Sequence, residues 1–324
     1  MPIQRRHLLA STAACWIASA PPVHAQAFPG RPVTIIVSFP AGGPSDVMAR
    51  AVAAGVSAEW RQPVLVENRP GAGAIIGTSA ALAAPADGHT LLLTSNVFTT
   101  AQWLFPKLPY DPLRDFRAVC GLVRSPQMAV VSARFPGDSL ADLVRMARER
   151  PGGLDYASVG SGTQPHLVTE AFKKAAGIYL THIPYRGAAG AHGAVMAGDV
   201  ATYFDVQFSS QALLRAGKVK SLGVTGRERA AQFPGVATFA EQGFADFEYY
   251  TWFGLVARSA TPDALVQRLN ESVNRAMATP AFVELVASLG TQQTGGPTQA
   301  FQDVLVNDTA RWGRVIRETG VRLE

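Results

Sequence analysis

Short apolar runs alternate along this chain with longer segments in which apolar residues recur every three or four positions. The first run, 33–39, reads as a strand and leads through Pro40-Ala41-Gly42-Gly43 into a helix over 44–60. Val47, Met48, Ala51, Val52, Gly55 and Val56 share one face of that helix. Strands at 64–66, 91–94 and 128–131 follow, with a helix over 73–83 between the first two. A second block opens at Ser139, where Asp142 three residues on gives an acidic form of the capping box and starts a helix over 140–148. Strand 154–158, helix 163–176, strand 181–184, helix 188–197, strand 200–205, helix 209–216 and strand 219–225 then succeed one another. Strand 252–257 precedes a helix opened by Thr261-Pro262-Asp263, where proline takes the first helical position at no hydrogen-bond cost. A final helix over 299–317 stops at Gly320.

Strands alternating with helices predict the α/β class, built on a largely parallel sheet. The 324 residues are enough for two domains, because single cores stop growing near 250–300 residues. The order of blocks predicts one α/β domain inserted into another. Residues 26–126 and 249–324 form the first, residues 127–248 the second, and two crossing strands join them. Such an insertion leaves a cleft, and ligands of open α/β sheets bind beyond the carboxyl ends of the strands. The strand-to-helix loops are therefore where function is to be sought.

The amino-terminal segment changes the picture of where the chain works. Arg5 and Arg6, the apolar stretch 8–20 and Val23-His24-Ala25 have the layout of a secretory signal, so residues 1–25 are expected to be cleaved on export to the periplasm. Twin-arginine and lipoprotein readings of the same leader rank behind cleavage after Ala25. The apolar stretch falls short of the roughly 20 residues that span a bilayer. Without the leader the formal charge drops from +5 to +3, and the basic residues are scattered singly, which excludes nucleic acid as a partner. Cys120 is then the sole cysteine; it sits in an apolar run and reads as a core residue with no disulfide to make. His89, His166, His182 and His192 lack metal-ligand spacing, so neither a metal nor a cofactor is expected. Gly71-Ala72-Gly73 to Gly77 imitates a dinucleotide loop. Residues 67–70 intervene after the strand, however, and no acid closes the next strand at the right distance.

Three loops carry candidate chemistry. Residues 38–46 offer two glycines and a helix start that favours an anion, or equally a plain tight turn; Asp46 opposes an anion unless it caps the helix. Residues 156–166 alternate small and hydroxyl residues before a helix. They supply amides and hydroxyls to a carboxylate, or simply a cap at Ser161 or Thr163; a catalytic Ser161–His166 pair lacks the nucleophile elbow. Residues 182–187 add the Tyr185 phenol and the Arg186 guanidinium, a bidentate carboxylate clamp or a solvated charge. Asp205, at a strand end, either binds a ligand ammonium or caps the next helix.

Several of these segments occur together in a known order: 31–34, 39–43, 66–73, 86–92, 108–112, 156–158, 182–187, 216–218 and Arg311-Trp312. The chain thereby resembles the Bug receptor family, the substrate-binding proteins of tripartite tricarboxylate transporters, over essentially its whole length after the leader. The resemblance implies a two-domain periplasmic-binding-protein fold of type II, a Venus flytrap that closes on one small carboxylate. It implies that Phe39, Pro40, Ala41, Gly42 and Gly43 hold one end of the ligand, with Ser95 and Asn96 beside them. Ser161, Gly162 and Thr163 would take the other end, with Tyr185, Arg186 and Gly187 nearby. Family ligands span amino-acid dicarboxylates, citrate-like acids and aromatic carboxylates. The implied partners are membrane transporter subunits, or a sensor if the ligand serves signalling, and the receptor is expected to be a monomer without enzymatic activity. Three positions depart from the family pattern: His89, Arg186, and the run Gln207-Phe208-Ser209-Ser210-Gln211, which leaves Asp205 the least secure ligand residue.

Overall fold

The computed structural model describes residues 28–322, so the proposed leader lies outside the described residues. The chain forms β1 (Val33–Val37), α1 (Pro44–Trp60), β2 (Val64–Asn68), α2 (Ile75–Ala83), β3 (Thr90–Ser95), α3 (Val97–Leu104) and the long β4 (Phe116–Ser132). Then come α4 (Leu140–Glu149), β5 (Asp155–Ser158), α5 (Gln164–Ala176), β6 (Thr181–Pro184), α6 (Ala188–Ala197), β7 (Thr202–Val206), α7 (Gln207–Arg215) and β8 (Val219–Val224). It ends with β9 (Tyr250–Arg258), α8 (Asp263–Met277), α9 (Pro280–Leu289), the short β10 (Gln292–Gln293) and α10 (Thr298–Thr319).

Most elements fall where the periodicity puts them, and the misses have local causes. The strand expected at 128–131 is the far end of β4, a single 17-residue strand that also takes in the apolar run around Cys120. Proline at 126 and bulges between Ala118 and Cys120 and between Gly121 and Val123 break the pattern a sequence reader follows. Helix α3 is rich in threonine and aromatic residues, and α9 follows α8 after only two residues, so neither stands out by propensity. At α4 the capping box forms as expected: Ser139 Oγ accepts from the Asp142 amide and Asp142 accepts from the Ser139 amide, both at 3.2 Å.

The strand order is β2-β1-β3-β9-β4-β7-β5-β6, with β8 and β10 also paired to β4. β1, β2 and β3 run parallel, as do β5, β6 and β7, while β9 and β4 run antiparallel to their neighbours. β4 pairs with β9 as far as Pro126↔Tyr250 and with β7 from Gln127↔Val206, so the chain leaves one sheet and enters the other within a single peptide step. Thr225 ties this crossing to the return: its amide donates to Gln127 O at 2.8 Å, and its carbonyl accepts from the Tyr249 amide at 3.3 Å.

The register has a direct consequence for function. Val37, Asn68 and Ser95 end the first parallel set, and Ser158, Pro184 and Val206 end the second; both sets point their carboxyl ends at the hinge. Each sheet has its own cores. On one face of the first sheet, Val33, Ile35, Val37, Leu91, Leu93, Phe253 and Leu255 pack against α1, α8 and α9. On the other face Ile36, Leu92, Trp252 and Val256 meet Phe301 and Leu305 of α10. The later turns of α10 carry Trp312, Val315 and Ile316 into the core built by Leu140, Phe172 and Phe247 of the second block. Helix α10 therefore spans both sheets on one face. On the opposite face α7 reaches α9, with Gln211 Nε2 donating to Ser288 O at 3.2 Å.

Candidate functional site

The loop of residues 38–43 is fixed from beneath. Asn68 Nδ2 donates to Phe39 O at 3.1 Å, and the Arg69 amide donates to Val37 O at 2.8 Å. Asp46 turns back into the loop, where its carboxylate accepts from the Gly42 amide at 2.9 Å and from Arg50 Nε at 3.0 Å. The Arg50 guanidinium and the Gly42 amide hold the Asp46 carboxyl down at about 2. Its cap-like turn resolves the conflict posed by an acid at this helix start. Gly42 has φ +80, a left-handed backbone that favours glycine, whereas Gly43 is extended at φ −80 and ψ 172. Pro40, Ala41 and Gly42 are exposed.

Ser95 ends β3, Asn96 follows it, and both are buried. The Asn96 side chain is taken up by the protein: Nδ2 donates to Tyr250 O at 3.2 Å and to Asp308 Oδ2 at 3.1 Å, and Oδ1 accepts from the Trp252 amide at 3.0 Å. Gln164 Nε2, at the start of α5, donates to the same Tyr250 carbonyl at 3.3 Å. One hinge carbonyl thus receives both a residue beside the first loop system and one beside the second. Asp308 also accepts from Thr99 and from Trp252 Nε1, yet burial raises its carboxyl above the ordinary range.

The loop 159–163 rests on an aromatic stack. His166 and His182 lie ring on ring, with centroids 4.0 Å apart and planes within 7°, and Tyr156 stacks on His182 at 5.0 Å. The Gly162 amide donates to His166 Nδ1 at 2.9 Å, which requires that nitrogen to be unprotonated. Burial, with His182 beside it, depresses His166 to about 4 and burial lowers His182 as well. Ser158 Oγ lies 2.6 Å from His182 Nε2 and 3.0 Å from Gly160 O. This serine–histidine pair is wholly buried at the serine, so it braces the loop. Thr163 Oγ1 donates to Gly160 O at 2.6 Å, and Ser161 points out, exposed. No acidic residue stands in the first turn of α5.

Tyr185 is half-buried against Gly190 and the core beneath α6, while Arg186 and Gly187 are exposed at the start of that helix. Asp205 is placed differently. It is 1% exposed; its Oδ2 accepts from Ser210 Oγ and lies 2.7 Å from His192 Nε2, and its Oδ1 accepts from the Val206 amide at 2.9 Å. Its oxygens are engaged at the start of α7. The next run supplies instead Phe208, whose ring centroid lies 6.3 Å from that of Phe253 across the hinge. Gln164 and His182 fall inside the candidate loops 156–166 and 182–187 without being nominated there, and Asn68 and Phe208 lie outside all three loops. Asn68 sits inside a quoted family segment, and Phe208 inside a quoted departure.

A hollow of about 550 Å³ opens on the α10 side of the hinge between Arg124, Tyr250, Trp252, Phe301, Asp308 and Arg311, away from the loops at 39–43, 161–163 and 185–187. Among the described residues no group of His, Cys, Asp or Glu is arranged to hold a metal, and no helix is long and apolar enough to cross a membrane. Cys120 is buried, and burial pushes its thiol up to about 12.

Known proteins share this architecture. The model of the tripartite tricarboxylate transporter family receptor matches residues 48–321. A UPF0065 protein from the tcbD-tcbE intergenic region of Pseudomonas sp. (strain P51) is 38% identical over 98% of this chain and 95% of its own. The periplasmic binding protein BugD superposes with a TM-score of 0.79 at 30% identity, covering 91% of this chain and all of BugD. A protein of R. palustris, solved with adipate, superposes with a TM-score of 0.82 at 32% identity over 91% of this chain and all of its own. With two strand sets converging on a hinge and a family match from α1 to the end of α10, the chain belongs to the tripartite tricarboxylate transporter receptor family, a family of periplasmic solute-binding proteins.

Proposed function

We propose that this receptor captures a small carboxylate between its two lobes and passes it to membrane subunits of a tripartite tricarboxylate transporter. The observation that carries the reading is the convergence of two sets of strand ends on one hinge, each set feeding helix N-termini whose first amides have no partner in their own helix. Phe39, Pro40, Ala41, Gly42, Gly43 and Ser95 would line one side. Ser161, Gly162, Thr163, Tyr185, Arg186 and Gly187 would line the other. Asn96 and Asp205 act in this reading as positioning residues, because their side chains are bonded to the protein. The adipate in the related R. palustris structure supports a carboxylate.

The switch of β4 partner at Pro126 and Gln127 supports lobes made of 26–126 with 249–324 and of 127–248, with α10 lying across both. Export to the periplasm with cleavage near Ala25 and action as a monomer complete the reading. It assigns no turnover to Ser158 or to any other residue. The test is Gly43→Val. A Cβ at Gly43 meets only Pro40 O at 3.5 Å and the backbone there is extended, so the variant folds normally while the side chain fills the ligand's place. Unchanged unfolding with carboxylate binding lost supports the reading, and unchanged binding refutes it.

A further inference from the structure

We infer that the hollow between the hinge strands and α10 is a second binding site, outside the cleft, for an organic anion that carries an apolar body. The inference goes beyond the receptor reading and does not depend on which ligand the cleft takes.

The walls of this hollow are fixed by the protein. Strand β4 supplies Arg124, β9 supplies Tyr250 and Trp252, and α10 supplies Phe301, Val304 and Arg311. Its volume of about 550 Å³ falls in the range of small-molecule sites, roughly 300–1,000 Å³. The Trp252 amide donates to Asn96 Oδ1 at 3.0 Å, and the indole Nε1 donates to Asp308 Oδ2 at 2.9 Å. Tyr250 is held at both ends: its carbonyl accepts from Asn96 and Gln164, and its hydroxyl accepts from the Arg227 amide at 2.9 Å. An indole and a phenol fixed in this way lose little freedom when a ligand settles against them.

The lining chemistry sorts into two parts, of which the first is cationic. The Arg124 guanidinium carbon lies 4.4 Å from the centre of the Tyr250 ring, and that of Arg311 lies 5.0 Å from the centre of the Tyr249 ring. Arg124 Nε donates to Gln292 Oε1 and Arg311 Nη1 to Glu248 O, and among the described residues neither guanidinium pairs with a carboxylate. The rest of each fork is left for an acceptor from outside the chain, which suits a carboxylate, sulfonate or phosphate group. Asp308 gives Oδ2 to Asn96, Thr99 and Trp252, so Glu248 is the one other acid on the lining to set against two arginines. The second part is apolar. Phe301 meets Trp252 edge to face at 5.3 Å, and Val304, 40% exposed, lies one turn further along α10. A bare inorganic anion would use only the first part and a neutral apolar molecule only the second; a molecule with both uses the whole lining.

Anilinonaphthalene sulfonate is a fluorescent probe with both parts, and phenylnaphthylamine has the same rings without the sulfonate. Each is titrated into the wild type, the double variant Arg124→Gln with Arg311→Gln, Val304→Asp, and Gly43→Val with its cleft blocked. Thermal unfolding checks each fold, and Val304→Asp, at an exposed position, carries the test should the double variant not fold. The expected result is one sulfonate per chain, bound about tenfold or more tighter than the uncharged dye. The double variant should weaken the sulfonate about tenfold and the uncharged dye less than about twofold. Val304→Asp should weaken both dyes about fivefold, and Gly43→Val should bind both as the wild type does. No saturable binding, equal affinity for the two dyes, or sulfonate binding indifferent to the arginine and valine substitutions overturns the inference. Loss of the sulfonate in Gly43→Val would put the probe in the cleft and overturn it as well, and each of these results leaves the receptor reading standing.

Discussion

The loops at 38–46 and at 158–166 do the same architectural job, carrying a strand into a helix at the cleft, yet they are held by opposite means. In the first, an ionised acid folds back onto the Gly42 amide and is itself clasped by Arg50. In the second, a neutral imidazole accepts the Gly162 amide from within a stack of three rings. The positive end of α1 is thus partly met by its own carboxylate, whereas α5 presents its amides with no acid in its first turn. The lesson is that two anion-suited turns of similar sequence differ in how much field they offer a ligand. The second lobe should supply most of the charge attraction and the first most of the shape.

Titration separates the two loops most strongly. The unfolded chain protonates His166 near its ordinary 6.5, while the fold resists until about 4. Stability from this group is therefore complete above 6.5 and falls as pH drops through that window, by at most about 3 kcal/mol, with His182 acting in the same direction. Asp46 works lower. Its contribution is complete above 3.8 and is lost as pH falls toward about 2. Urea unfolding at a series of pH values should show the first loss in the wild type and only a smaller remainder, from His182, in His166→Phe; an unchanged slope in that variant would refute the neutral-imidazole account.

Next in size is Asp46→Ala, which removes the acceptor of Gly42 and the partner of Arg50 and should lower stability by about 2 kcal/mol, read from the urea midpoint. Asp46→Asn, which keeps an acceptor oxygen, should lose about half as much. Equal losses would mean the ion pair, rather than the cap, holds the loop.

Why these differences escaped the sequence can be stated residue by residue. The turn at Pro40–Gly43 and the capping box at Ser139 are local, within four positions, and both are legible as spacing. So were the edges of α1, β6 and α6, where Gly and Pro punctuate clean periodicity. The His166–His182 stack joins residues from two different elements, and no spacing rule brings a helix histidine over a strand histidine. Asn96 shows the same limit: it reads as a ligand donor in a loop, and only the return of β9 reveals that Tyr250 O and the Trp252 amide take its side chain. Asp205 read either as ligand group or as cap, and its surroundings at His192, Ser210 and the Val206 amide come from three elements. Phe208 was visible as an oddity, but its meaning depends on Phe253 from the far side of the hinge.

Smaller effects sharpen the same contrast. His166→Phe keeps a ring in the stack but removes the acceptor of Gly162, so ligand affinity should fall about fivefold, roughly 1 kcal/mol, in a titration at neutral pH. The least effect belongs to Arg145→Ala, which deletes exposed pairs with Glu149 and Asp142 on α4. Stability and affinity should both stay within about 0.5 kcal/mol, and a larger change would reveal a coupling the contacts do not contain.

The central claim, that the cleft takes a carboxylate, is tested most directly by thermal unfolding in the presence of small carboxylic acids and of their methyl esters. A ligand at a hundredfold excess over its dissociation constant adds about 2.7 kcal/mol. The account predicts a rise of roughly 5 °C with at least one carboxylate and none with its ester. A rise with neutral sugars or amines, and with no carboxylate, would contradict it.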